Sequence, residues 1–590
     1  MGFHDPHSYA DLAQGKIERI DLSIKADFSE NILFVKAHYA LENAVSGSFF
    51  LDTRGLRVDR VASHGLDLPW DMDRRDAILG ERLHLRNLDE AREFTIEVRT
   101  SPDASALQWM KPSQTLSGKL PFLYSQCQSI QARSVFPCQD TPSVRFTYQA
   151  ELEVPQPMTA VMAAEAVGVE PAGKSTRYQF TMHQPIPSYL FALAVGDIQF
   201  RSLGSRTGVY AEPEMAEASA WEFAENEAKL AAAEQLLGPY LWDRYDILVL
   251  PPSFPFGGME NPRLTFLSPL VVLGDRSRTN VVSHELAHAW TGNLVTNATW
   301  EDFWLNEGWT TYAEGRITEV LNGREFNDLV KVVGLNELFE DMHRFGENAK
   351  ETCLKFSQDG MDPEEVYSQV PYIKGSMFLV ALEEAVGRKA FDSFIQKYIS
   401  TYRFQSLGTE EFVTFLTSEL PEAVRRVDIN QWIYQPGYPQ NAPRLDSVLY
   451  DDVKAKLDGY RRGTLPSRES ISSWVPQQVL LFFQLLRKRI PVEDCRRLER
   501  LFELPTVRYP AIQVQFFQIA IASAYREVLP NVERFAQTVG NRWAVGHLFE
   551  ALAGEEWTRG LARPLFERYR DRNHPMTVAH VEQILKKAGL

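Results

Sequence analysis

The sequence predicts a multidomain α+β protein. An N-terminal antiparallel β domain, saddle- or sandwich-shaped, comes first, a mixed but mostly helical domain second, and an all-α, solenoid-like domain last. Three observations lead there. Apolar and polar residues alternate at period two from residue 16 to about residue 198, and helical spacing takes over from residue 219. A segment with three prolines and a glycine, QPGYPQNAPRL (435–445), then separates the second block from the third. A chain of 590 residues is also too long for one core, so about three or four domains are expected.

Residues 1–198 form the β block. KIERIDLSIKADF, ILFVKAHYALEN, GSFFLDTRGLRVDRVAS and EFTIEVRTS alternate at period two, with turn formers such as Ser29-Glu30-Asn31 and Gly55 between them. VRFTYQAELEVP, TAVMAAEAVGV, RYQFTMH and YLFALAVGDIQFRS continue the pattern. Residues 199–434 form the middle block. It opens with one helix over SAWEFAENEAKLAAAEQLLG (219–238), stopped by Gly238, and a short strand in YDILVLPP (245–252) follows. Next comes a helix in VVSHELAHAWT, with Asn280 as its N-cap and Gly292 as its stop. A second lies in FWLNEGWTTYAEGRITEVLNG and ends near Gly323, and more are expected around 325–341, 373–386, 389–402 and 409–419. Residues 435–450 make the linker, and 451–590 read as short stacked antiparallel helices without a clean repeat unit.

Composition narrows the function classes. Hydrophobic residues are 44% and charged residues 24% of the chain, an ordinary globular mix. The net charge of −16 argues against general nucleic-acid binding, which needs basic surface. No apolar run approaches the ~18 residues of a membrane span. The first residues carry no apolar signal core, and Pro6 stands where N-myristoylation wants Ser or Thr. The four cysteines (Cys127, Cys138, Cys353, Cys495) form no CxxC pair and are expected as free thiols in a reducing compartment. A cytoplasmic monomer is expected.

The chemistry concentrates between Phe254 and Glu314. His284 and His288 are four apart, one helical turn, so both imidazoles can grip one metal ion. Glu307 follows His288 by nineteen residues, in a second helical segment. Two histidines and a carboxylate leave a fourth position open on Zn2+, the pattern of a catalytic site, and Glu285 is placed to work on water there. A lone HExxH arises by chance in helices, where it means two surface histidines and a solvated glutamate. Here the histidines sit among Val281, Val282, Leu286, Ala287, Ala289 and Trp290, on a buried helix. Glu314, seven residues past Glu307, either bonds a ligand histidine or is a plain surface glutamate. Upstream, GGMEN (257–261) lets a substrate backbone approach over two glycines, and Glu260 could hold a peptide's α-ammonium. By itself that loop is equally an ordinary turn.

GGMEN, then HELAHAW with Glu307 in LNEGW, resembles the M1 (gluzincin) zinc aminopeptidases. YSQCQSIQARSVFPCQDTPSVRFTY (124–148), FPFGGMENPRLTF and SHELAHAWTGNLVTNATWEDFWLNEG are most similar to its leukotriene-A4 hydrolase and aminopeptidase B branch. The resemblance covers the whole chain and implies a β saddle, a thermolysin-like zinc catalytic domain and a helical C-terminal domain. It implies one Zn2+ held by His284, His288 and Glu307, with Glu285 as general base. Glu260, helped by Gln128, would bind a free amino group, and Gly257, Gly258 and Met259 would line the substrate backbone. Tyr372 in VPYIKG would donate to the oxyanion; read without the resemblance it is a core tyrosine, as is Tyr367.

Three departures accompany it. Phe256 replaces a tyrosine, Glu364 replaces an aspartate used in epoxide opening, and WTRGLARPLF (557–566) misaligns the basic residues that hold a substrate carboxylate. Arg563 is near, and Arg559 is the one stand-in. The expected activity is removal of the first residue from short peptides with a free N-terminus. Asp362, Glu364 and Glu365 suggest a preference for Arg or Lys there. The rivals are a leukotriene-type epoxide hydrolase and an inactive zinc-bearing scaffold.

Overall fold

The structure, a computed structural model, describes residues 4–590. Alternation at period two puts Ile20, Leu22, Ile24 and Ala26 on one face of the strand Ile17–Asp27, where each is buried. That strand lies inside a nine-stranded sheet dominated by two long antiparallel partners, Ile32–Thr53 of 22 residues and Glu81–Arg99 of 19. The sequence pattern broke the first of these near residue 43. The structure keeps it continuous and absorbs the break as register shifts between Ala40 and Phe49, which bend the sheet. One pair departs from the antiparallel expectation: Ile17–Asp27 runs parallel to Arg145–Pro155. A four-stranded sheet beneath contains Phe122–Ser125, whose end leads directly to Gln128.

A five-stranded sheet organises the middle of the chain, in the order Gln199–Ser202, Thr207–Ala211, Tyr245–Val249, Leu264–Leu267 and Gly258–Met259. Its last strand is an open edge beside the helix Asn280–Ala287. The single helix expected over 219–238 is two, Pro213–Glu222 and Asn226–Leu237. At the break, buried Glu222 accepts the backbone N–H groups of Gly274 and Arg276. Asn280 is the first residue of its helix rather than the cap, because its side-chain amide is drawn to Glu314. The second metal helix, Trp304–Asn322, ends at Gly323, whose φ of +87° suits a residue without Cβ.

One continuous apolar core runs through the β sheets and the middle domain. A second fills the helices from Val448–Arg461 to Pro575–Lys587 and takes in Leu329, Val332 and Val333 of the helix Arg324–Phe345. The C-terminal helices also meet the loop ahead of GGMEN, where Arg542 N–H and the Asn541 amide both donate to the Pro255 carbonyl. All four cysteines are buried and unpaired. Among the described residues, no helix is long and apolar enough to cross a membrane.

Candidate active site

The two metal helices cross so that His284 Nε2 and His288 Nε2 lie 3.2 and 3.3 Å from one oxygen of Glu307. The other ring nitrogens are already engaged. His284 Nδ1 faces Glu314 Oε2 at 3.1 Å, and His288 Nδ1 faces the Thr291 carbonyl at 3.0 Å. Each Nδ1 therefore carries a proton, and in the neutral ring that metal binding requires, both Nε2 lone pairs turn onto one carboxylate oxygen. Lone pairs crowded on an anion need a cation among them. Zn–N and Zn–O bonds of about 2.0–2.1 Å at a tetrahedral angle separate neighbouring donors by about 3.3 Å, so the donor set fits zinc.

Glu285 sits on the same helix and lines the same cavity, reaching the sheet edge. A Cβ on Gly258 would stand 2.2 Å from its Oε1, so only glycine lets the edge strand pass the carboxylate. Burial pushes the Glu285 carboxyl up to about 8, the two imidazoles pull it down, and Glu260 and Glu307 add to the rise. A divalent cation acts in the imidazoles' direction.

Glu260 follows the edge strand, with its backbone carbonyl held by the Asn293 amide at 2.7 Å. Its carboxylate shares a cluster with Glu285 and His288 in which the donor atoms lie within 4.8 Å of one another. Burial raises its pKa, and Glu260 Oε1 is buried without a partner, as is Gln128 Nε2. Both residues line a cavity of about 190 Å3 that also contains the metal donors, Gly257, Gly258 and Tyr372. The Tyr372 ring stacks on His284 at 6.0 Å between centroids and meets Phe303 and Tyr367 edge-on.

Two expected residues lie elsewhere. The Met259 side chain is buried away from the cavity, with the Gln126 amide 3.1 Å from its sulfur, because successive side chains on a strand alternate faces. Arg559 is exposed on the helix Glu556–Tyr569 and donates to the Ala588 carbonyl, while Arg563 pairs with Glu582 and the chain's last carbonyl. That helix face serves the C-terminal helix, not the cavity. The basic residue that does reach the cavity wall is Arg542, 3.5 Å from Glu364. Glu364 also accepts the N–H and hydroxyl of Ser129, so its charge is already met. Glu365 is exposed, and neither it nor Asp362 lines the cavity, so the expected pull on Arg or Lys side chains loses its basis. Sequence reading also missed the apolar wall of Trp300, Phe303, Leu354 and Phe356, which carries no motif.

Three family models match this chain: the peptidase M1 N-terminal domain over 17–190, the peptidase family M1 domain over 221–432, and the leukotriene A4 hydrolase C-terminal domain over 474–585. The chain is 36% identical to leukotriene A-4 hydrolase of Xenopus laevis, over 97% of its own length and 98% of the relative's. It is 34% identical to leucine aminopeptidase 2 of Pyricularia oryzae, over 99% and 98%. Its structure superposes on that of yeast LTA4 hydrolase in complex with Bestatin with a TM-score of 0.91, at 29% identity, covering 99% and 97% of the two chains. With the donor set, the adjacent glutamate and these end-to-end matches in agreement, the chain belongs to peptidase family M1.

Proposed function

We propose that this zinc aminopeptidase removes single residues from the N-terminus of short peptides, with His284, His288 and Glu307 holding the metal, Glu285 as general base, Tyr372 as oxyanion donor and Glu260 as amine anchor. One observation carries the exopeptidase reading: the Glu260 carboxylate, whose Oε1 is buried without a partner, lies within 4.8 Å of the Glu285 and His288 donor atoms. A free α-nitrogen is only about 2.5 Å from its own carbonyl carbon, given the lengths of the N–Cα and Cα–C bonds. An ammonium seated on Glu260, with the Gln128 amide beside it, therefore brings the first carbonyl, and no later one, to the metal donors.

When bound, the zinc polarises that carbonyl and lowers the pKa of its water. The substrate backbone lies along the open edge at Gly257–Gly258 as an added strand. Glu285 takes the proton from the attacking water and hands it to the leaving amine. The Tyr372 hydroxyl donates to the oxygen that gains charge. The cavity, of about 190 Å3, is walled by the first two parts of the chain, and Arg542 of the third pairs with Glu364 behind that wall; its size suits short unfolded peptides. The proposal includes a cytoplasmic monomer, and the four buried thiols suit a reducing compartment.

The test is a short peptide offered with a free or an acetylated N-terminus and followed by mass spectrometry. Stepwise loss of single residues from the free peptide alone is expected, and it stops with a chelator. Internal cuts, or equal cleavage of the acetylated peptide, would overturn the reading. A second reading, epoxide hydrolysis as in the relatives' name, draws support from the apolar wall beside Glu364. Formation of a dihydroxy acid from leukotriene A4 decides it.

A further inference from the structure

Tyr372 rides on a single turn of π-helix, Val370–Lys374, ahead of the helix Gly375–Val386. Such wide turns are rare and re-aim a side chain. This one is closed by the Gly375 N–H, which donates to the Val370 carbonyl five residues back. Lys374 is fully buried and pins the far side of the turn, its ammonium donating to the Thr352 and Gln435 carbonyls, each at 2.9 Å.

Three glycines from three helices close around the turn. A Cβ on Gly308 would stand 2.9 Å from Gly375 Cα and 3.1 Å from the Pro371 carbonyl oxygen. A Cβ on Gly375 would stand 2.9 Å from Gly308 Cα. On the helix Arg324–Phe345, a Cβ on Gly334 would stand 2.8 Å from Ile373 Cδ1. Ordinary contacts begin at 3.4 Å, so a methyl at Gly308 or Gly375 separates the two backbones by roughly 0.5 Å. Gly308 directly follows Glu307, and Gly375 follows Tyr372 by three residues. A metal ligand and the phenol thus stand on opposite sides of one backbone contact.

We infer that Gly308, Gly334 and Gly375 are positioning residues that seat the Tyr372 turn against the Glu307 helix and so fix the phenol hydroxyl relative to the metal donors. The inference rests on the role proposed for Tyr372. Simple helix packing would also use glycines, but it would not make their effect depend on the phenol.

The experiment measures kcat, KM, zinc content and Tm on a leucyl arylamide for Gly375→Ala, Gly334→Ala and Tyr372→Phe, alone and combined. We expect Tyr372→Phe to lower kcat by about 10²–10³-fold. Gly375→Ala should lower it by about 10–10²-fold, the penalty of a sub-ångström to 1 Å misplacement, with KM and zinc content unchanged. In the Tyr372→Phe background Gly375→Ala should cause no further loss. Gly334→Ala should lower kcat without lowering Tm, since alanine favours a helix interior, and adding Ile373→Val, which removes Cδ1, should restore kcat. This pair decides the question if Gly375→Ala does not fold. Equal losses from Gly375→Ala in both backgrounds, or no recovery with Ile373→Val, would overturn the inference alone. A Tyr372→Phe enzyme with wild-type kcat would overturn it together with the role of Tyr372.

Discussion

Replacing Gly258 by alanine tests the base more gently than removing it. The new methyl would stand 2.2 Å from Glu285 Oε1, 2.5 Å from Cδ and 2.7 Å from Cγ. Restoring a contact of 3.4 Å requires the carboxylate to retreat by about 1.2 Å, the difference between 3.4 and 2.2 Å. Glu285 is only 7% exposed and cannot escape to solvent, so it must leave its line to the attacking water. A misplacement of that size lowers the rate by about 10²-fold, and we expect that loss in kcat. The three atoms nearest the methyl all belong to Glu285, which is not among the proposed metal ligands, so bound zinc should be retained. Arylamide hydrolysis and metal analysis on one preparation give both numbers. A variant with wild-type kcat, or one whose lost activity matches lost zinc, would refute the geometry.

Glu260→Gln removes the charge that meets the ammonium; a charge-assisted hydrogen bond contributes about 1.5–3 kcal/mol, so KM should rise by about 10–10²-fold, and an unchanged KM would move the anchor elsewhere. Arg559→Ala should leave kcat and KM on tripeptides unchanged, because its guanidinium serves the Ala588 carbonyl; a raised KM would return it to the substrate. His574 makes stability depend on pH. It is buried, its Nδ1 accepts the Met576 N–H at the start of the last helix, and burial, with Arg542 nearby, pushes its pKa down to about 3. The unfolded chain takes up that proton first, so stability rises with pH between about 3 and the ordinary 6.5, and is lost as pH falls through that window. Moving from pH 6.5 to 5 costs about 1–2 kcal/mol at this group. His574→Asn keeps the cap and should flatten the denaturation profile over that range; an identical slope would exclude the histidine.

The clustering of the candidate metal donors was legible because its signal is local. HExxH fixes two donors by helical period, and a glutamate in a buried second helix completes them. The β and helical blocks were legible for the same reason, through period two and period 3.6. What failed was set by long-range contacts. The strand Ile32–Thr53 stays whole because Glu81–Arg99 pairs along it and takes the irregularity as bulges. Asn280 gives up the cap because Glu314, far along the sequence, claims its amide. Tyr372 needed family resemblance, since a tyrosine on a π turn has no spacing signature. Arg542 has none either, and Arg559, though near the expected motif in sequence, sits on a helix face that packs on its own domain.

In the proposed mechanism Glu285 moves the proton and holds no metal. Glu285→Gln, assayed for zinc and for kcat on the same preparation, tests it most directly. The variant should hold one zinc per chain with kcat lowered by about 10²–10⁴-fold. A wild-type rate, or an enzyme that has lost its zinc, would contradict it.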